Sequence, residues 1–380
     1  MSKEIQLILN ELDSFKPNEK AILATVVDVQ GSGYRLPGAK MLIDENGRAS
    51  GMVSGGCLEA DVMERARRLL ETGRAELLTY DTTTAASGDS IFSLNMGCNG
   101  VVRILIEPVE KGGMLTTAWR NAVESRWPQT IATLISNDRS LPVGGRIFYG
   151  GVEPFDLENL PDFLENSREI RARCAAFFDR REKAGTVEFD LTEGRFEFFF
   201  ENIDPPLNLL IFGAGYDAIP LAGFAKDLGW RVTLIDHRPA FAARERFPSV
   251  DQIIVEHPEN LAGEITPDEN SAAVVMTHNY EKDREIMKFL LPLGLDYIGA
   301  LGPKRRTEKL LEELKAEGFG FEEKELKNLH APVGLDIGAD TPESIALSIA
   351  SEIKSVLTGR DGGHLRERQG SIYGRRVISD

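Results

Sequence analysis

The sequence predicts an α/β protein, with an N-terminal mixed α+β domain followed by a C-terminal Rossmann-like, doubly wound parallel sheet. Three observations predict it. Residues 208–236, NLLIFGAGYDAIPLAGFAKDLGWRVTLID, read as strand, glycine turn, helix and strand. Strand and helix signals then keep alternating, as in a parallel sheet with helical crossovers. The chain begins differently, with β-branched runs and turn signals that suit a separate β-rich unit. The domains expected are 1–204 and 205–380, and a length of 380 residues suits two domains.

Taken in order, residues 3–14 carry Ile5, Leu9 and Leu12 at helical spacing. Residues 21–29 form a β-branched run, hence a strand. Gly31, Gly33, Pro37 and Gly38 break the chain before a second strand at 40–43, and Asn46-Gly47 signals a hairpin. The segment GMVSGGCLEADVMERARRLLETG predicts a helix over 57–71, with Leu58, Val62, Ala66 and Leu69 on one face. Cys57 then falls in the first helical turn, where the dipole favours a thiolate. The other reading is a small buried residue filling a turn. A polar stretch, 81–89, leads to the loop Gly97-Cys98-Asn99-Gly100, whose N–H groups could hold an anion beside the thiol. The same alternative applies to Cys98. A strand follows over 101–106.

Residues 114–125 read as a helix, 130–136 and 146–149 as strands, and 157–181 as mostly helical, with Cys174 in the core. Residues 187–191 and 196–201 form a hairpin about Glu193-Gly194. Residues 202–206 carry two prolines and read as the linker. In the next unit Gly213 permits a tight turn, Gly215 lets a phosphate approach, and Ala218 keeps a helix over 216–228 close to the strand. That helix points its N–H groups at the phosphates. Gly229 ends it, and a strand over 231–235 delivers Asp236 to the place of the acid that binds a ribose hydroxyl. Further strands are read at 252–255, 272–276 and 296–300, with helices after THNYEKD and LGPKRR and near 322–327. Thr341 caps the last helix, Pro342 opens it, and Ile345, Ile349, Ile353 and Leu357 form its stripe. From Gly359 the tail is basic and glycine-containing.

Ligands of an open parallel sheet bind beyond the carboxyl ends of its strands. The sequence places there Gly213, Gly215, Asp236 with Arg238, Thr277 with His278, and Gly302 with Lys304, Arg305 and Arg306. Three cations at a helix start oppose the dipole, which fits either a bound anion or a solvated basic face. His278 reads as an acid or base, or as a hydrogen-bonded turn residue. There is no Ser-His-Asp order, HExxH pair or Walker lysine. These residues lead to a phosphate-bearing ligand and two thiols, not to a reaction. A formal charge of −16 argues against nucleic acid, and no apolar run reaches membrane-spanning length. The N-terminus MSKEIQLILNELDSF does not read as a signal peptide, and three cysteines without a CxxC suit a reducing cytoplasm without structural zinc.

The pieces GSGYRLPGAKMLI, SGGCLEADV and MGCNG resemble the N-terminal region of the XdhC/CoxI family. LLIFGAGYDAIPLAGFAKDLGWRVTLIDHRPAFA, THNYEKD, YIGALGPKRR and GLDIGADTPESIALSIASEI resemble its C-terminal Rossmann region. The likeness covers most of the chain apart from about residues 110–200. It implies a maturation factor for molybdenum hydroxylases such as xanthine dehydrogenase and CO dehydrogenase. Such a chaperone, which need not be an enzyme, binds the molybdenum cofactor (molybdopterin) and protects it during sulfuration by a cysteine desulfurase. It then hands the cofactor to the apo molybdenum hydroxylase. The resemblance implies Cys57 and Cys98 as functional thiols and metal ligands, in keeping with the softness of thiolates. Gly213, Gly215 and Asp236 become a nucleotide-like site, and Arg238, His278, Lys304 and Arg305 join the candidates by position. A homodimer is the expected assembly. Asn99 stands where the family tends to have glycine, and Tyr216 where histidine is common. The alternative is an NAD(P)-dependent oxidoreductase, in which Asp236 favours NAD while Arg238 leaves NADP open.

Overall fold

The computed structural model describes residues 2–16, 19–31, 33–81, 100–151, 155–321 and 326–369. The chain divides into two compact units, Met1–Pro205 and Pro206–Asp380. Among the described residues, the first unit holds helix α1 (Ser2–Ser14), strands β1 (Ala21–Gly31), β2 (Lys40–Asp44) and β3 (Ala49–Gly51), helix α2 (Glu59–Thr72), and strands β4 (Glu76–Asp81) and β5 (Gly100–Val109). Helix α3 (Met114–Val123), strands β6 (Gln129–Asn137), β7 (Arg146–Tyr149) and β8 (Asp156–Glu158), helices α4 (Asp162–Glu165) and α5 (Arg168–Asp179), and strands β9 (Ala184–Leu191) and β10 (Gly194–Ile203) complete it. The strands form two antiparallel five-stranded sheets, in the orders β3-β2-β1-β5-β4 and β8-β7-β6-β10-β9.

Each sheet buries one face beneath a helix. Val62, Ala66 and Leu69 recur at helical spacing on α2 and pack on Ile22, Ala24, Met41 and Ile43. Ile170, Cys174 and Phe177 of α5 pack on Phe196, Phe198 and Phe200 of β10. The alternate residues of β10 face the other sheet. There Phe199 joins Val27, Leu105 and Ile135, while Glu197 pairs with Arg103 at 2.6 Å and Glu201 with Lys40 at 2.6 Å. Arg146 pairs with Glu107 across the same seam. Lys40 and Glu201 are 1% and 4% exposed, so each charge depends on the other for its solvation.

The second unit alternates strand and helix. It runs β11 (Asn208–Phe212), α6 (Ala218–Asp227), β12 (Arg231–Ile235), β13 (Gln252–Ile254), α7 (Leu261–Glu264), β14 (Ser271–Val275), α8 (Tyr280–Leu290), β15 (Ile298–Ala300), α9 (Lys304–Ala316), β16 (Leu329–His330) and α10 (Pro342–Leu357). The six strands pair in parallel in the order β13-β12-β11-β14-β15-β16. Successive residues of β11 serve opposite cores: Leu209 and Ile211 meet α6 and α10, and Leu210 and Phe212 meet α7, α8 and α9. The sheet is therefore doubly wound, as the sequence predicts. Strand order reverses between β11 and β14, the position at which open parallel sheets generally take their ligands.

Several local expectations are corrected. The strands β4, β8 and β16 escape the sequence reading: all three lie at sheet edges, β8 and β16 are only three and two residues long, and β4 carries exposed Glu76, Thr79 and Asp81. Residues 157–181 are mostly helical as expected, but the helix comes in two pieces, α4 and α5, after the end of β8, and Ser167 caps α5 by accepting the Ile170 N–H. Asn202 is no linker residue. It is buried in β10, accepts a hydrogen bond from the Thr130 hydroxyl and donates to Phe177 O at 2.9 Å. Thr341 and Ser344 form a capping box at α10, with Pro342 in the first turn as expected. Ile349 and Ile353 are buried but Leu357 is exposed; Ala346 and Ala350 fill the stripe instead. The expected loop at 97–99 and residues 322–325 lie outside the described residues.

The seam makes an energetic prediction. Glu201→Ala strands a buried ammonium and should lower unfolding stability by about 3–5 kcal/mol. The double substitution Lys40→Met with Glu201→Leu should recover most of that loss. Denaturant melts followed on the first unit's transition check both.

Candidate functional site

The glycine turn sits at the carboxyl end of β11. Gly213 adopts φ +113°, and a Cβ there would lie 2.5 Å from Met276 O. The first glycine is therefore required by the backbone leaving β14, at the point where strand order reverses. At Gly215 a Cβ would meet Asp217 Oδ1 at 2.5 Å. Helix α6 starts at Ala218, two residues later than expected, and Asp217 does not cap it with its side chain. That carboxylate reaches His278 Nε2 at 2.8 Å, while its Oδ1 is buried without a hydrogen bond. His278 has φ +59° and is exposed. A left-handed non-glycine residue beside a phosphate-type turn is the sort of backbone cost that marks ligand sites.

Asp236 follows β12 as predicted, but its carboxylate turns inward. Oδ2 accepts the Ala214 N–H at 2.7 Å and Arg238 Nη2 at 2.7 Å; Oδ1 accepts Arg238 N and Nε, each at 2.9 Å. Burial raises its pKa, yet the bonds from Arg238 and Ala214 outweigh burial and hold the carboxyl below the usual range. A slot of about 10 Å³ lies beside it, lined by Phe212, Asp236, Thr277 and Ile286, with room for no more than one water.

The three cations at α9 separate. Arg306 folds back onto Asp283, which also accepts the Thr277 hydroxyl, so it ties α9 to α8 and to the end of β14. Lys304 is exposed, 3.8 Å from Glu308. Arg305 is exposed and pairs with nothing among the described residues. Both stand two strands from β11 in the sheet order.

In the first unit Cys57 lies outside α2 rather than in its first turn, one residue before the N-cap Leu58. Ser54 holds the turn that carries the cysteine and leads into α2. Its hydroxyl accepts the N–H groups of Gly56 at 3.3 Å and Leu58 at 3.0 Å, and donates to Glu59. Burial raises the Glu59 carboxyl, but hydrogen bonds from Ser54 outweigh that and leave it below the usual range. Cys57 is exposed, with Sγ 3.6 Å from Ser54 Oγ. Cys98 lies outside the described residues. Cys174 is fully buried, and burial pushes its thiol up to about 12. Among the described residues no group of three or more His, Cys, Asp or Glu is arranged to hold a metal. Sequence reading missed Ser54, Asp217 and Arg246. Only Ser54 carried a signal, a hydroxyl residue ahead of a helix with an acid in its first turn.

Two family models match, the XdhC and CoxI family over residues 15–81 and the XdhC Rossmann domain over 209–353. Over 337 residues the chain is 34% identical to a protein of Bacillus subtilis (strain 168) named as a probable xanthine dehydrogenase subunit, covering 88% of this chain and 92% of that one. The chain belongs to the XdhC and CoxI family. Another relative is the molybdenum cofactor insertion chaperone PaoD of Escherichia coli (strain K12), 23% identical over 91% of this chain and 86% of PaoD. A crystal structure described as a xanthine dehydrogenase from Bacillus halodurans shares the XdhC/CoxI fold, with a TM-score of 0.74 and 28% identity over 94% of this chain and 97% of that one. No helix among the described residues of this XdhC/CoxI chain is long and apolar enough to cross a membrane.

The depressed Asp236 pKa gives a pH signature. The stabilising contribution is present above the unfolded value of about 3.9 and is lost as pH falls through the lower folded value. The stability difference between wild type and Asp236→Asn should be constant near neutrality and shrink below about pH 4. Thermal melts across that range check it.

Proposed function

We propose that this chain binds the molybdenum cofactor and delivers it to a xanthine dehydrogenase-type molybdenum hydroxylase. The likeness to a relative named as a molybdenum cofactor insertion chaperone carries the reading, because it spans 91% of this chain and so takes in both units. The cofactor is cargo here, and its metal arrives with the pterin's own ligands. The protein then needs to add a soft donor rather than a complete metal cage, and an exposed thiol suits that task. Cys57 is exposed on a loop that Ser54 and Glu59 hold in one pose. Cys98 is the second thiol of the proposal, and the glycine turn with Asp236, Arg238 and His278 is its nucleotide-like site. Lys304 and Arg305 add exposed positive charge at the same end of the sheet. The partners would be the apo molybdenum hydroxylase as recipient and a cysteine desulfurase that sulfurates the bound cofactor, with a cytoplasmic homodimer as the working form. The name xanthine dehydrogenase carried by two relatives then fits the recipient.

Protein purified without oxygen from a molybdate-fed host should contain molybdenum and pterin near one per chain. Cys57→Ser combined with Cys98→Ser should lower that content and reduce activation of a co-expressed hydroxylase by about tenfold or more, at least the loss that follows when only an outer-shell partner of a metal ligand is removed. A folded wild-type protein free of both molybdenum and pterin, or full activation by the double variant, would refute the proposal.

A further inference from the structure

The crevice of the second unit presents a different group from the one its sequence pattern suggests. An ionised carboxylate offers about four acceptor sites. All four on Asp236 are taken, by Ala214 N–H, Arg238 N–H, Arg238 Nε and Arg238 Nη2. Its side chain is 2% exposed. It has nothing left for a ribose diol. Arg238 is the group that meets solvent, 37% exposed, and the two-pronged grip on Nε and Nη2 fixes its plane.

Around Arg238 the chain stacks rings and guanidinium groups. Arg238 lies 4.0 Å from the Phe241 ring, and Arg246 lies 5.1 Å from that ring and 5.3 Å from Tyr216. Phe241 and Tyr216 are both exposed. Arg246 Nη1 donates to Ala214 O at 2.9 Å and to Phe241 O at 2.8 Å, which pins the glycine turn to the loop after β12. Its Nη2 is buried and has no hydrogen-bond partner. A fixed, partly exposed guanidinium and two exposed aromatic rings thus border the turn where a dinucleotide fold places the ribose and base.

We propose that this ledge binds an adenine nucleotide phosphorylated on its 2′-hydroxyl in preference to one with a free ribose diol. In folds of this strand order the acid after the second strand meets the ribose hydroxyls, and a nearby arginine accommodates a 2′-phosphate. Here the acid is spent on holding the arginine, so the choice falls to the cation. Arg238 takes the phosphate through its remaining N–H edge, and Phe241 with Tyr216 offers a face to the base. The proposal names a ligand for the nucleotide-like site assigned above and rests on that assignment; the molybdenum and pterin content of the purified chain tests cofactor delivery separately.

The test is calorimetric titration of the full chain with adenosine 2′,5′-bisphosphate, adenosine 3′,5′-bisphosphate and adenosine 5′-monophosphate. The 2′,5′ compound should bind about tenfold or more tightly than either other probe, the size of one charge-assisted hydrogen bond. Arg238→Gln should erase that preference, Arg238→Lys should keep part of it, and Phe241→Leu should weaken all three alike. Equal binding of the three probes, no binding by the wild-type chain, or a preference that survives in folded Arg238→Gln would overturn the proposal. If circular dichroism shows that variant unfolded, the wild-type ranking and the Phe241→Leu series decide.

Discussion

The carboxyl end of the parallel sheet hangs on one buried carboxylate. Asp236 binds the Ala214 N–H of the glycine turn and the backbone and side chain of Arg238. It thereby fastens the end of β11 to the end of β12. Arg246 repeats the tie from the other side through Ala214 O. The turn is closed from below by Met276 O, which leaves no room for a Cβ at Gly213. Three separate contacts therefore set the turn before any ligand arrives, which is what preorganised binding requires.

The first unit solves the same problem with a hydroxyl. Ser54 gathers two N–H groups and donates its own O–H to the Glu59 carboxylate, so the loop that carries Cys57 is held by the start of α2. The thiol is left outside the helix and open to solvent. Below it, the unit is stitched by charge pairs that cross from one sheet to the other, with Lys40 and Glu201 almost wholly removed from water. Such pairs are costly to bury, and they reward only one alignment of the two sheets.

The second unit was the more legible half. An apolar run, two glycines, a helix and an acid at the end of the next strand are all signals carried within about thirty residues. What could not be read there was the direction of a side chain. Asp236 was expected to face a ribose and faces Ala214 and Arg238 instead, because its partners are set by how two strand ends meet. Arg246 was invisible for the same reason, sitting in an irregular loop with no pattern to mark it. In the first unit the individual strands were largely legible but the sheets were not. β1 pairs with β5 across some seventy residues of chain, and no local pattern encodes that choice. Cys57 falls two residues short of α2, which begins at Glu59, and the bond from the Leu58 N–H to the Ser54 hydroxyl that shapes this turn has no periodic signal in the sequence.

Strand β10 has two unlike faces, with Phe196, Phe198 and Phe200 on one and Glu197, Phe199 and Glu201 on the other. A slip of one residue would turn both acids into the phenylalanine core and three aromatic rings toward Arg103 and Lys40. Every one-step misalignment is thus penalised at several places at once. The strand carries its own proofreading, and the hairpin it forms with β9 has one phase in which it can close.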